Sequence, residues 1–121
     1  MAKLIPLVHP LADIRAEVAA ALRHAGYDVI EFADTMPAIG ALEGVRRPNL
    51  LITFTNYAPG RPTGISLAGM AMVKCPGIKI IITGDPAHEE YAAGLGEFHP
   101  HPIDVPRLVA DVERLLGDGG K

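Results

Sequence analysis

A chain of 121 residues and 12.8 kDa has the length of one domain, enough to bury a core without disulfide or metal staples. Hydrophobic residues make up 49% but aromatics only 5%, with no Trp, so a core of Leu, Ile, Val and Ala is expected, as α/β layer proteins have. Eleven Lys and Arg against fourteen Asp and Glu leave a net charge of -3 and no basic run, which excludes the electrostatic footprint of a nucleic-acid or anionic-membrane binder.

Leu4-Ile5-Pro6-Leu7-Val8 is a short continuous apolar run, the signature of a buried parallel strand. From Leu11 to Ala25 the period changes to that of a helix, with Ile14, Val18, Ala21, Leu22 and Ala25 on one face and Gly26 as the stop. Val29-Ile30-Glu31-Phe32 reads as the second strand, after which Thr35 caps a helix from about Pro37 to Val45 with an apolar stripe of Ile39, Leu42 and Val45. Asn49 to Phe54 is the third strand. The next ten residues, Thr55 to Gly64, hold two Pro and two Gly and read as a loop of functional size. A third helix spans about Ile65 to Val73, and Ile78-Lys79-Ile80-Ile81-Ile82-Thr83 is a fourth strand with sharp boundaries. Asp85-Pro86 opens a short fourth helix closed by Gly94 and Gly96. Glu97-Phe98-His99 is the fifth strand, interrupted by Pro100 and Pro102, and Val105 to Leu116 is a final amphipathic helix built on Leu108, Val109, Val112, Leu115 and Leu116.

Five strands alternating with five helices predict right-handed βαβ units and an open parallel sheet with helices on both faces. The whole chain, 1–121, is read as a single domain ordered over 1–116, with 117–121 fraying. The lone Cys75 excludes an internal disulfide, and the apolar run before Pro10 is too short for a signal peptide or membrane span, so a cytoplasmic location is expected. In open parallel sheets the functional crevice lies beyond the carboxyl ends of the strands. That rule selects His9 and Pro10, Phe54 to Asn56, Thr83 to Asp85, and His99 to Pro102.

At those four strand ends the chain resembles the receiver domain of bacterial response regulators, along essentially its whole length. The resemblance rests on the order of several stretches: Asp13-Ile14-Arg15, Ala25-Gly26-Tyr27-Asp28-Val29, Arg47-Pro48-Asn49-Leu50-Leu51-Ile52, Pro59-Gly60 with Gly64, Thr83-Gly84, and His101-Pro102-Ile103-Asp104 where the family has a Lys-Pro-Phe run. It implies a flavodoxin-like (CheY-like) five-stranded parallel sheet in the order 2-1-3-4-5. It also implies a phosphoryl-transfer site: an aspartate acceptor ending the third strand, and Mg²⁺ held by that aspartate and an acidic pair after the first strand.

Here the acidic pair falls on His9 and Pro10, the acceptor on Phe54 and the phosphate-contacting lysine on His101. None of these is a carboxylate or a lysine, so the resemblance implies a degenerate phosphorylation pocket that has lost Mg²⁺. Thr83 survives at its family position, and Phe98 matches the aromatic switch position. Fifteen positions separate Thr83 from Phe98, about four fewer than is typical of the family, so roughly one turn is missing from the fourth helix. Apolar area beside the fifth strand is therefore expected to be exposed, with Ala92, Phe98 and Val105 as the candidate interface.

The histidines admit other chemistry. His9 and His101 can approach across the pocket as the start of a transition-metal site, with His99, which should point to the other side of its strand, and Asp85 as the remaining ligands; polar filling of a vacated pocket is the commoner outcome. Phe54 beside Tyr57 makes either an apolar ligand pocket or a plug. Thr83 with His101 as base is the one nucleophile arrangement, against the ordinary reading of a strand-end hydroxyl bonded to backbone. Cys75 beside Lys74 reads as an inert buried thiol, one of Met70 and Met72 as partly exposed, and His24 and His88 as surface residues. No enzyme activity and no cofactor are expected. The expected function is a non-phosphorylatable receiver acting through a protein partner or a second copy of itself, and the alternative is a small-ligand or metal sensor using the rebuilt pocket.

Overall fold

The apolar bursts of the sequence form the five strands of one parallel sheet in the computed structural model, which describes residues 2–55 and 63–117. The strands are β1 (Leu4–Val8), β2 (Asp28–Phe32), β3 (Leu50–Phe54), β4 (Lys79–Gly84) and β5 (Glu97–Pro100), in the order β2-β1-β3-β4-β5. The register pairs Ile5 with Val29, Ile52 with Ile81 and Ile82 with Phe98, so every strand carboxyl end emerges on one side of the molecule. The helices α1 (Ala12–His24), α2 (Thr35–Leu42), α3 (Gly64–Lys74) and α4 (Val105–Leu115) return the chain, and a 3₁₀ helix, Pro86–Ala92, stands between β4 and β5.

Strand side chains alternate, so the sheet separates two apolar layers. On one face Ile5, Leu7, Ile52 and Ile81 pack against Val18, Ala19 and Leu22 of α1 and Leu108 and Val112 of α4. On the other, Val8, Leu51, Ile80 and Ile82 meet Ala38 and Leu42 of α2, Leu67, Ala68 and Ala71 of α3, and Ala92. Side-chain caps set four helix starts: Asp34 accepts from the Met36 N–H at 3.5 Å, Thr63 from Ser66 at 3.1 Å, Asp85 from Ala87 at 2.8 Å and Asp104 from Arg107 at 3.2 Å. No helix among the described residues is long and apolar enough to cross a membrane.

Several sequence expectations are corrected or refined. The cap of α2 is Asp34 rather than Thr35, and the helix ends at Leu42, which leaves Val45 fully exposed instead of in the apolar stripe. On α1 it is Ala19, not Ala25, that is buried. The fourth helix is 3₁₀, because Pro86 at its start and Gly94 (φ 79) just past its end leave too few residues for α-helical hydrogen bonds to become established. Its tight winding turns Ala92 inward, where it is only 2% exposed; Ala92 therefore belongs to the core and not to a docking surface. Phe98 and Val105 are half-buried, packed respectively against the α3 and α4 layers. Tyr57 and the rest of its loop, and the tail beyond Gly117, lie outside the described residues.

Candidate functional site

His9 follows β1 directly and is carried into the site by the ladder, since its N–H donates to the Phe32 carbonyl of β2 at 3.0 Å. Its Nδ1 accepts from the Leu11 N–H at 3.1 Å, and Arg15 of α1 donates Nη1 to its carbonyl at 2.8 Å. The ring of Phe54, at the end of β3, lies 6.2 Å from that of His9 between centroids. His101, just past β5, donates its N–H to the Gly84 carbonyl at 2.7 Å, and its ring stands 5.5 Å from His9. The approach of β3 to β4 here requires glycine at position 84, because a Cβ would overlap the Thr55 hydroxyl.

These groups line a cavity of about 380 Å³ together with Pro10, Leu11, Thr55, Asp85 and His88. The sequence thus places His9, Pro10, Phe54 and His101 in one site. Thr83 is fully buried and does not line the cavity, and its hydroxyl donates to the Thr53 carbonyl at 3.2 Å, the backbone-bonded arrangement of a strand-end hydroxyl. His88 is the residue that sequence reasoning missed. Its Nδ1 lies 2.9 Å from the Thr55 hydroxyl, and the signal was the Asp85 cap, which starts the 3₁₀ helix so that position 88 turns toward the strand ends. His99 turns to the α4 side, where its Nε2 accepts from the Asp104 N–H at 3.1 Å and its Nδ1 lies 3.8 Å from the Asp111 carboxylate.

Burial holds His9 below the usual histidine range, reinforced by the neighbouring His101 imidazole. His101 is likewise lowered by burial and then by His99. For His99 burial outweighs the Asp111 carboxylate, so it too is lowered. A larger, shallower groove of about 610 Å³ lies along the β2 edge, beside Tyr27 and Ile30, but its charged groups already face one another, Arg46 pairing with Asp28 at 2.8 Å.

No protein-family model and no curated protein sequence matches the chain. Solved structures do. A CheY-like receiver domain protein from Methanospirillum hungatei superposes with a TM-score of 0.83 at 19% identity, covering 98% of this chain and 96% of that one. A response regulator receiver protein from Sinorhizobium medicae gives 0.85 at 19% identity over 96% and 95% of the two chains. The receiver domain of NtrX from Brucella abortus gives 0.82 at 24% identity over 93% and 98%.

The fold is that of a receiver domain. On the receiver fold the cavity sits at the carboxyl ends of β1, β3, β4 and β5, the position that open parallel sheets use for chemistry. Asp85 is the one carboxylate among its described lining residues, and its Oδ1 is already taken by the Ala87 N–H.

Proposed function

We propose that this chain is a signalling module on the receiver fold that works without phosphoryl transfer, through contact with a protein partner or a second copy of itself, in the cytoplasm. The observation that carries the reading is Phe54: at the end of β3, where the resemblance puts an acceptor aspartate, stands a ring with no nucleophilic oxygen. Mg²⁺ takes oxygen ligands in near-octahedral geometry. An imidazole, a prolyl ring and a phenyl ring at the three family positions do not fit that ion.

A receiver switches because one arriving charge biases a two-state element. Here no residue receives the charge, and the Thr83 hydroxyl is committed to the Thr53 carbonyl, so a single surface arrangement is expected. The surface formed by the 3₁₀ helix, β5 and the start of α4 carries exposed Tyr91 and half-buried Phe98 and Val105. Strand addition at this edge is disfavoured, since β5 spans four residues and ends in Pro100, so the contact is one of side chains. The metal reading of the His9–His101 pair finds no group of three or more ligands among the described residues.

The test is incubation with acetyl phosphate and Mg²⁺ followed by intact mass. The mass is expected to stay unchanged; a phosphoryl adduct mapped to an aspartate of the cavity would overturn the reading.

A further inference from the structure

Two buried polar atoms of the histidines that line the cavity have no hydrogen-bond partner among the described residues. His9 is 2% exposed, and the Leu11 N–H bonded to its Nδ1 places the proton of the neutral ring on Nε2. That Nε2 is buried without a hydrogen-bond partner among the described residues, and so is Nε2 of His101, whose ring centroid lies 5.5 Å from that of His9 with the two rings tilted by 51°. Buried polar groups are nearly always partnered, and each exception asks for an explanation. Beside the two imidazoles the lining turns apolar, with Pro10, Leu11 and Phe54.

We propose that the cavity is a binding site for a small organic carboxylate with a compact apolar body. Its oxygens accept from Nε2 of His9 and Nε2 of His101, and its body rests on Phe54, Pro10 and Leu11. The inference rests on the reading above only in taking Phe54 as a ring that accepts no phosphoryl group and so leaves an apolar floor.

Three rival occupants fit less well. A metal ion lacks a third ligand among the described residues. A neutral carbonyl relieves the His9 donor but gains nothing from protonation of either ring. Inorganic phosphate has more charged oxygens than the two donors can satisfy, and the rest would lie against the phenyl ring.

The charged and titratable groups around the two rings act in both directions. From α1, Arg15 donates to the His9 carbonyl while its Nε lies 3.5 Å from Glu31 of β2. From the β4 end, Asp85 opposes an anion but turns Oδ1 to the Ala87 N–H, and His88 is held by Thr55. From β5, His99 disfavours charge on His101. A bound carboxylate favours protonation of both facing rings, so binding takes up protons and strengthens as pH falls.

The experiment titrates the intact protein with benzoate, benzamide and inorganic phosphate, following histidine ring carbon–proton signals assigned by through-bond correlation. Benzoate is expected to shift the His9 and His101 signals and leave His24 in place. Its calorimetric affinity should be roughly tenfold higher near pH 6 than near pH 8, within the limit of tenfold per pH unit for each proton taken up. His9→Gln and His101→Gln should each lose most of the binding; the wild-type ring signals carry the test if either variant fails to fold. Benzamide binding as well as benzoate, phosphate shifting the two rings in its place, or benzoate shifting neither would overturn the proposal. None of these outcomes bears on acetyl phosphate labelling, so failure here is distinguishable from failure of the signalling reading.

Discussion

Phe54 is 8% exposed and packs in the layer that contains Val8, Leu51 and Leu67. Replacing it with aspartate removes that contact and puts a carboxylate among the apolar side chains of that layer. Phe54→Asp is expected to lose about 3 kcal/mol or more in urea denaturation, and to remain unlabelled by acetyl phosphate. The buried histidines give stability a pH dependence of definite sign. His9, His99 and His101 are all lowered in the folded state, so as pH drops below about 6.5 the unfolded chain binds protons that the folded chain refuses. Stability present above that value is therefore lost on acidification, and the urea midpoint is expected to fall between pH 7.5 and 5.5, with a shallower fall in His99→Gln. The meeting of His9 and His101 was legible only as far as both follow strand carboxyl ends on the same side of the sheet, since β3 and β4 stand between their strands. His88 was not, since its direction depends on the winding of a helix whose type the composition does not reveal.

The five strands and three of the four α-helices were legible in the sequence, because continuous branched apolar runs and the three-to-four residue period leave little choice. The end of α2 was not. Val45 continues the apolar period, but Arg47 donates to the Leu42 carbonyl at 3.3 Å and to the Lys74 carbonyl at 2.9 Å, which ties the chain down before the next turn forms. At the other end of α3 the constraint is steric. A Cβ on Gly64 would overlap the Phe54 carbonyl and come within 2.7 Å of the Thr53 hydroxyl, itself a donor to the Gly64 carbonyl at 3.2 Å. Backbone cannot yield as a side chain can, so Gly64→Ala is expected to cost about 3 kcal/mol or more, read as a lowered urea midpoint. At the start of α4, Asp104→Ala removes a cap and should cost about 1 kcal/mol, leaving the fold intact.

At the scale of the molecule, one open sheet with helices on both faces leaves two edges, β2 and β5, and the signalling reading uses the second. Tyr91→Glu and Val105→Glu are expected to abolish self-association or partner capture in sedimentation and pull-down. Val73→Glu, at the exposed last turn of α3, should leave either unchanged. Loss with Val73→Glu alone would move the contact to the α3 side. The layer order was legible because strand and helix alternate; the content of the docking face was not, because Ala92 is small enough to suit a core or a surface equally.

Lys3, just before β1, donates its ammonium to the Leu116 carbonyl at the end of α4 at 2.7 Å. The first strand and the last helix are thus fastened together at their outer ends, and the sheet does not depend on the order in which the chain visits its strands. A circular permutant that joins the two ends by a short Gly-Ser linker and opens the chain at the exposed Gly77 turn keeps every strand pair, with β4 now first to be made. It is expected to fold to the same sheet with an unchanged circular dichroism spectrum.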